Sequence, residues 1–281
     1  NNLFIIYCLY IDNLIYTFLC RFMKLNINNL REWEQNYFGV ISPFKRGKLY
    51  YYLKFLNSNQ FKNIPGDIVE AGVFRGAGLI SSALLISELK SIKSKKIWAY
   101  DTFSGFPSFS KFDEKNKFFQ LFKENKISKS HYLDTLKVDK YHKIFKSNKI
   151  SPKNISSSNN FDNTSLSYIK KKIKFFKLST RINLVKGDFK NTMKYRKNLP
   201  KKISAGLIDC DLYGGYKISL KYFWPKLSIN GKLFLDEYFS LKFPGPRFAV
   251  NEFLKNNKDA KLIKEGITAD FERWSLKKIG K

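Results

Sequence analysis

The stretch that decides the fold is Val69-Glu70-Ala71-Gly72-Val73-Phe74-Arg75-Gly76-Ala77-Gly78. It joins an apolar run at 67–71, which predicts a buried strand, to an apolar run at 77–89, which predicts a helix. The glycines allow a sharp turn and let bare backbone approach a ligand. Because the first N–H groups of a helix lack backbone partners, this turn favours binding of a carboxylate or phosphate. A turn whose glycines serve packing alone is the alternative.

The glycine spacing argues against a nicotinamide dinucleotide. Gly72 is followed by Gly76 and Gly78, whereas the dinucleotide fingerprint is G-x-G-x-x-G. A nicotinamide oxidoreductase is therefore a rival interpretation and not the leading one.

From Pro65 onward, short apolar runs alternate with helical stretches, a pattern typical of a parallel sheet in an α/β domain. Seven strands are predicted, and a short turn joins only the last two, which indicates an antiparallel hairpin. A mostly parallel sheet with such a terminal hairpin is the usual build of Rossmann-like class I methyltransferases. The predicted strands are 67–71, 96–101, 182–188, 205–211, 232–237, 261–265 and 272–278.

The domain prediction is one methyltransferase domain, residues 65–281, behind a helical N-terminal cap, residues 23–64. The cap contains two predicted helices, near 30–34 and 48–56. Residues 1–22 form an apolar extension of separate character.

A Lys-, Phe- and Ser-rich insertion, residues 106–178, interrupts the strand pattern. A structureless loop of that length is rare in a compact domain, so we expect helices. Since the insertion follows the second strand, at the edge where ligands bind, we interpret it as a lid over the substrate. Its histidines, His131 and His142, are expected at the surface and not in catalysis.

Residues 3–20 are apolar enough to raise the question of a membrane contact. Asp12 and Asn13 lie at the middle of the run, where a carboxylate costs roughly 2.5 to 3.5 kcal/mol, so a spanning helix is marginal. Three alternatives stay open for residues 1–22: a translated upstream extension, a homo-oligomer contact or a peripheral membrane anchor. A signal peptide is not predicted, because the basic n-region and the small-residue cleavage site are missing.

The net charge of +29 raises nucleic acid as a partner. The excess is almost all lysine, with only eight arginines, whereas specific nucleic-acid binding relies on arginine. Nucleic acid is therefore disfavoured, and an RNA-associated Rossmann protein is the alternative function. Cys8, Cys20 and Cys210 suggest neither a disulfide framework nor a metal site, which indicates a reduced, cytoplasmic protein.

Acidic residues end the first four predicted strands: Glu70, Asp101, Asp188 and Asp209. Because the carboxyl ends of parallel strands share one edge, we expect these side chains to line a single crevice. Asp101 is placed to accept both hydroxyls of a ribose, which fits any adenosine cofactor. A solvated aspartate at a strand end is the alternative.

The more specific chemical signal is a set of three carboxylates. Asp209 ends the fourth strand, Asp236 and Glu237 end the fifth, and a helix near 215–223 separates them. Adjacent strands lie about 4.8 Å apart, which brings these side chains within reach of one ion. Three hard oxygen ligands suit Mg²⁺. Capping of the following helices by Asp211 and Glu237 is the structural alternative.

Six motifs then follow one another along the chain: 64–76, 100–107, 185–192, 208–213, 236–238 and 244–250. In this order they resemble the macrocin-type O-methyltransferases, the metal-dependent, S-adenosylmethionine-using enzymes of macrolide and aminocoumarin sugar tailoring. The resemblance covers roughly residues 41–254, without the insertion. The family has Asp-Asp where this chain has Asp236-Glu237, and Gly-Gly where it has Gly76-Ala77.

The resemblance implies Mg²⁺-dependent methyl transfer from S-adenosylmethionine to a hydroxyl of a sugar-like or other small acceptor, by an oligomeric enzyme. A degenerate relative that binds the cofactor without methyl transfer is a further alternative. Asp209 is the implied general base, and Asp209, Asp236 and Glu237 fall on the metal-ligand positions. Tyr238 and Arg247 are expected to contact substrate. The implied cofactor-binding residues are Glu70, Ala71, Gly72, Arg75, Gly76, Asp101, Thr102, Ser104, Asp188, Phe189 and Asp209.

Overall fold

The computed structural model describes residues 30–89, 92, 94–146 and 150–280. Its sheet has seven strands: β1 Asp67–Ala71, β2 Ile97–Asp101, β3 Ile182–Lys186, β4 Ile203–Ile208, β5 Leu227–Leu235, β6 Ala260–Thr268 and β7 Phe271–Lys278. Their order across the sheet is β3-β2-β1-β4-β5-β7-β6. The first five strands pair in parallel, and β7 pairs antiparallel with both β5 and β6. The predicted fold, with its terminal hairpin, is confirmed.

The α-helices of the described residues are α1 Glu32–Phe38, α2 Tyr50–Leu56, α3 Asn59–Lys62, α4 Ala77–Glu88, α5 Lys117–Lys123, α6 Lys129–Lys146, α7 Leu166–Phe175, α8 Phe189–Thr192, α9 Tyr213–Phe223 and α10 Gly245–Asn256. Short 3₁₀ helices lie at Lys111–Asp113, Arg196–Asn198 and Trp224–Lys226.

Hydrophobic cores cover both faces of the sheet. Ile68 packs into the core that contains α2 and α4, whereas Val69, its neighbour in β1, packs into the core that contains α9 and α10. This alternation follows from the two-residue period of a strand. Burial on both faces explains why β4 is buried at every position. Tyr52 and Leu53 of the cap belong to the first core, so the described cap residues pack as part of the sheet domain.

Several strand boundaries differ from those predicted from the sequence, including boundaries of the fourth and fifth strands. The fourth strand ends at Ile208 and not at Asp211, and Asp211 itself has a positive φ of 60°, which is not an extended conformation. The fifth strand begins at Leu227 and not at Lys232. Its first half contains Asn230-Gly231, a dipeptide that usually indicates a turn.

The insertion carries α5, α6 and α7 and is anchored by a buried carboxylate. Asp113, 2% exposed, accepts hydrogen bonds from Tyr213 N at 2.7 Å and Ser110 N at 2.8 Å. A Cβ on Gly245 would lie 2.0 Å from Asp113 Oδ1, so only glycine fits the chain there. Asp113 thus ties the insertion to the first residues of α9 and α10.

The prediction that both histidines lie at the surface is wrong. His131 and His142 are 4% and 7% exposed, because they lie on the buried face of α6. The His131 ring lies 4.1 Å from the Phe239 ring, and its Nε2 lies 2.8 Å from Ser240 O.

The N-terminal predictions for residues 1–22 and the run 3–20 fall outside the described residues. Among the residues that are described, none of the helices combines the length and apolar character needed to cross a membrane.

Substitution of Gly72 by Ala is expected to lower the free energy of unfolding by at least about 2 kcal/mol. Gly72 has φ 89°, and a Cβ would lie 1.8 Å from Asp209 O. Gly214→Ala is the matched control, since a Cβ there meets no atom within 4 Å; its effect should stay within about 1 kcal/mol. Urea unfolding followed by circular dichroism measures both, and equal effects would contradict the steric argument.

Candidate active site

A cavity of about 580 Å³ opens at the carboxyl edge of the parallel strands. Residues that follow β1 to β4 form its floor, and residues of the cap and the insertion form its walls. All four strand-end acids predicted to share one crevice line it: Glu70, Asp101, Asp188 and Asp209.

The Asp101 carboxylate organises the glycine turn. Its Oδ2 accepts hydrogen bonds from Val73 N at 2.7 Å and Phe74 N at 2.9 Å, and its Oδ1 accepts one from Phe103 N at 2.6 Å. Phe74 and Phe103 both have positive φ, 49° and 53°, so these bonds hold unusual backbone in place. A carboxylate has about four acceptor positions, which leaves one for a ligand hydroxyl.

Glu70 presents an unpaired acceptor beside the same turn. The residue is 1% exposed, and its Oε2 has no hydrogen-bond partner among the described residues. Burial, and next the charge of Asp209, raise the pKa of Glu70 well above its usual value. An unsatisfied buried oxygen is costly, so this atom marks a position where a ligand donor would be stabilised.

Three carboxylates converge beyond the turn. Asp209, Asp211 and Glu237 each offer one oxygen, and these oxygens lie within 4.8 Å of one another. The Tyr216 hydroxyl lies 2.8 Å from Glu237 Oε2 and accepts a hydrogen bond from Glu237 N at 2.9 Å. Burial, followed by repulsion from neighbouring carboxylates, raises the pKa of Asp211 and of Glu237 well above their usual values. Such a cluster would be stabilised by a cation.

The cluster differs from the predicted metal-ligand set at one residue. Asp236 lies instead 2.8 Å from the Lys48 ammonium and 3.7 Å from the Arg273 guanidinium. Asp236 N still donates to Ile208 O at 3.1 Å, which continues the β5 ladder. β5 ends at Leu235, so Asp236 and Glu237 lie in the turn that follows it. Burial, and next the charge of Asp236, raise the pKa of Glu237, so these two side chains lie near each other. Asp211, considered only as a helix cap, takes the predicted place of Asp236.

The helix-capping alternative does not describe α9. The first amide of that helix, Tyr213 N, donates to Asp113 of the insertion. Glu237 Oε2 accepts instead from Tyr216 and, at 3.3 Å, from Asp211 N.

Of the other residues predicted to bind the cofactor, some line the cavity and some do not. Those in the wall are Gly72, Arg75, Thr102, Asp188 and Phe189, whereas Ala71, Gly76 and Ser104 are outside it. Ala71 is fully buried in the core of the sheet.

The two predicted substrate contacts, Tyr238 and Arg247, also lie outside the cavity wall. They are 5% and 9% exposed, and Arg247 Cζ lies 3.9 Å from the centre of the Tyr238 ring. This buried cation–π contact, and not an open substrate site, accounts for the pair in the described structure.

Sequence analysis missed the lysines of the cavity wall, among them Lys48 and Lys172. Lys172 Nζ donates to Arg75 O at 2.9 Å. Burial, and next the Arg75 charge, lower the pKa of Lys172 to about 8. Among the described residues, neither Lys172 nor Arg75 forms a salt bridge. These two cations are therefore placed to meet an anionic ligand, and no local sequence signal indicates them as a pair.

Tyr216→Phe is expected to lower the free energy of unfolding by about 1 to 3 kcal/mol, because it leaves the buried Glu237 amide without a partner. Tyr213→Phe is the control. The Tyr213 hydroxyl contacts Glu252 and Lys217 near the protein surface, so its removal is expected to lower the free energy of unfolding by less than about 1 kcal/mol. Chemical denaturation distinguishes the two variants; a Tyr216→Phe protein as stable as the control would contradict the role given to Tyr216.

Comparisons with known proteins bear on this fold and site. The family model described as Macrocin-O-methyltransferase (TylF) matches residues 48–142. Mycinamicin III 3''-O-methyltransferase of Micromonospora griseorubida is 23% identical over 193 residues, which cover 68% of this chain and 61% of that protein. The chain thus spans less than two thirds of the length of this curated relative.

Two solved structures share the fold. The O-methyltransferase NovP has a TM-score of 0.57 at 20% identity, over 81% of this chain and 77% of that chain. The calicheamicin methyltransferase CalS11 has a TM-score of 0.56 at 20% identity, over 93% of this chain and 89% of that chain. The resemblance to macrocin-type O-methyltransferases is thereby confirmed, and the fold is that of the Rossmann-like class I methyltransferases.

Proposed function

We propose that this protein is an S-adenosylmethionine-dependent O-methyltransferase that methylates a hydroxyl of a sugar-like small molecule and uses Mg²⁺. One observation carries the proposal: the glycine turn, with its unpaired Glu70 oxygen, and the carboxylate Asp209 line the same cavity. A site for an adenosine cofactor and a cation-attracting cluster therefore adjoin one another. The similarity to mycinamicin III 3''-O-methyltransferase supports a glycosylated acceptor.

The residues present fit S-adenosylmethionine. Glu70 Oε2 offers an acceptor for the α-ammonium group, and the remaining acceptor position of Asp101 suits a ribose hydroxyl. Arg75, Lys172 and the first N–H groups of α4 offer positive charge for the carboxylate. When bound, the cofactor supplies an electrophilic methyl group on its sulfonium.

The acidic site also fits a divalent cation. The acidic site contains four carboxylates, those of Asp209, Asp211, Asp236 and Glu237, and two cations, Lys48 and Arg273, that form salt bridges with Asp209 and Asp236. With every carboxylate ionised, the formal charge of this group is −2, which one Mg²⁺ would neutralise. Asp209, Asp211 and Glu237 are the residues that would hold it, since Mg²⁺ prefers hard oxygen ligands. When bound, it would supply Lewis acidity toward an acceptor oxygen.

The protein's own part in the reaction is proton acceptance and positioning. Asp209 takes the proton of the acceptor hydroxyl as that oxygen takes the methyl group. Burial, and next the charge of Asp236, raise the pKa of Asp209 above its ordinary value, which makes the carboxylate a better proton acceptor. Phe106 and Phe161 of the insertion, whose ring centres lie 5.2 Å apart, line the cavity and limit the access of water.

Asp209→Asn is expected to reduce methyl transfer at least about 100-fold while S-adenosylhomocysteine affinity stays within a few-fold of the parent. The measurements are S-adenosylhomocysteine production with mycinamicin III or related glycosylated macrolides, and calorimetry. Excess EDTA should also stop turnover, and added Mg²⁺ should restore it. Asp259→Asn, remote from the cavity and paired with Lys278, is the control. Full activity of Asp209→Asn, or undiminished activity in EDTA, would refute the mechanism.

S-adenosylhomocysteine affinity is expected to fall as the pH rises through about 8. The pKa of Lys172 is lowered to about 8 by burial and by the Arg75 charge, so its positive charge is present below that pH and lost above it. Lys172→Met should bind weakly throughout and lack this pH-dependent step. The comparison ligand is 5′-methylthioadenosine, which has no carboxylate; an equal loss of its affinity would show that Lys172 does not contact that group.

A further inference from the structure

Lys48 of the cap reaches into the acidic site from 161 residues away in sequence. Its ammonium lies 3.1 and 3.0 Å from the two carboxylate oxygens of Asp209 and 2.8 Å from Asp236 Oδ2. One amine thus bridges the ends of two neighbouring parallel strands. Asp209 is the residue that Lys48 shares with the cluster of three carboxylates.

A series of polar contacts connects Asp236, the partner of the Lys48 ammonium, to the backbone next to Lys48. Asp236 pairs with Arg273, whose Nε donates to Thr268 Oγ1 at 2.9 Å. Thr268 Oγ1 in turn donates to Gly47 O at 3.0 Å, next to Lys48 in the chain. Thr268 is 4% exposed, and the side chains of Arg273 and Asp236 are 12% and 11% exposed. Lys48 is therefore anchored at both ends, unlike a mobile surface lysine.

We propose that Lys48 is the resident cation of the acidic site and competes with a divalent cation for Asp209. A divalent cation that takes an Asp209 oxygen repels the ammonium bound to the same carboxylate. Asp236 offers the ammonium a second partner, since it also lies 3.7 Å from Arg273 and is not one of the three clustered carboxylates. The cap residue Lys48 thus sets how tightly the site binds a divalent cation. This inference rests on the metal-binding part of the proposed function.

Competition predicts that loss of the ammonium strengthens cation binding. Lys48→Met should bind Mn²⁺ at least about tenfold more tightly than the parent protein, because Asp209 is then free. Lys48→Arg, which keeps the charge, should bind no more tightly than the parent. Mn²⁺ affinity is measured by electron paramagnetic resonance of the free ion, with Asp211→Asn, which removes one cluster carboxylate, to show that the ion occupies this site.

Lys217→Met is the control for a general change in charge. Lys217 also lines the cavity, but it pairs with Glu252 at 3.3 Å and with Tyr213 Oη at 2.8 Å. The Mn²⁺ affinity of the Lys217→Met protein should stay within about threefold of the parent. If Lys48→Met gains no more Mn²⁺ affinity than Lys217→Met, the ammonium of Lys48 does not compete for Asp209. Thermal melting of every variant verifies that the fold is intact.

A second readout does not depend on substitution. Reductive methylation with formaldehyde and cyanoborohydride labels free amines, and mass spectrometry of peptides reports the label at each lysine. Mg²⁺ at millimolar concentration should raise labelling of Lys48 by at least about threefold, as the ammonium leaves Asp209, and leave Lys217 unchanged. Unchanged labelling of Lys48 in a protein that binds Mn²⁺ would overturn the inference.

These outcomes are separable from those for the proposed enzyme. Absence of methyl transfer with every acceptor, together with the expected Mn²⁺ and labelling results, would remove the enzyme and leave the resident cation. Absence of Mn²⁺ binding in both the parent and Lys48→Met would overturn this inference and the metal role together.

Discussion

The close approach of β1 and β4 at Gly72 is the constraint on which the site depends. The two strands are neighbours in register, with Ala71 opposite Ile208, and Asp209 N donates to Ala71 O at 2.8 Å. Just beyond this bond the backbone segments that follow β1 and β4 are so close that Gly72 has no room for a side chain. The glycine turn and Asp209 are therefore adjacent because β1 and β4 are neighbouring strands, and both line the same cavity.

The second organising feature is the balance of buried charge. The chain carries a net charge of +29, yet four carboxylates gather at one sheet edge, where Lys48 and Arg273 form salt bridges with two of them, Asp209 and Asp236. Burial and mutual repulsion raise the pKa of Asp209, Asp211 and Glu237. Charge of this kind is costly unless a ligand or an ion offsets it. The local excess of buried carboxylates, and not the net charge of the chain, is what indicates a binding site for a cation.

The cap and the insertion both contribute polar contacts to this edge of the sheet. The cap supplies Lys48 to the acidic cluster, and its α2 packs in the core beneath the glycine turn. The insertion enters through Asp113, which binds the first amide of α9, the helix that carries Tyr216 to Glu237. Segments far apart in sequence thus hold the site from two sides, while the parallel strands fix its floor.

The sequence by itself determined the sheet, the glycine turn and the common edge of the acids. Strand periodicity is local, and the carboxyl ends of parallel strands necessarily meet, so Glu70, Asp101, Asp188 and Asp209 could be placed together without coordinates. The ends of strands were less predictable, because the turn at Asp211 depends on a backbone conformation that no apolar pattern reports.

Only the tertiary structure decided which side chains face one another. Asp211 joins Asp209 and Glu237 in the cluster of three carboxylates. It lies in the turn after β4, where the alternation of a strand does not predict the direction of a side chain. Lys48 and Lys172 reached the cavity through packing of distant helices, and Tyr238 with Arg247 was withdrawn from it by burial. Contacts between residues of different elements leave no periodic trace in a sequence, since they arise when separately formed elements pack together.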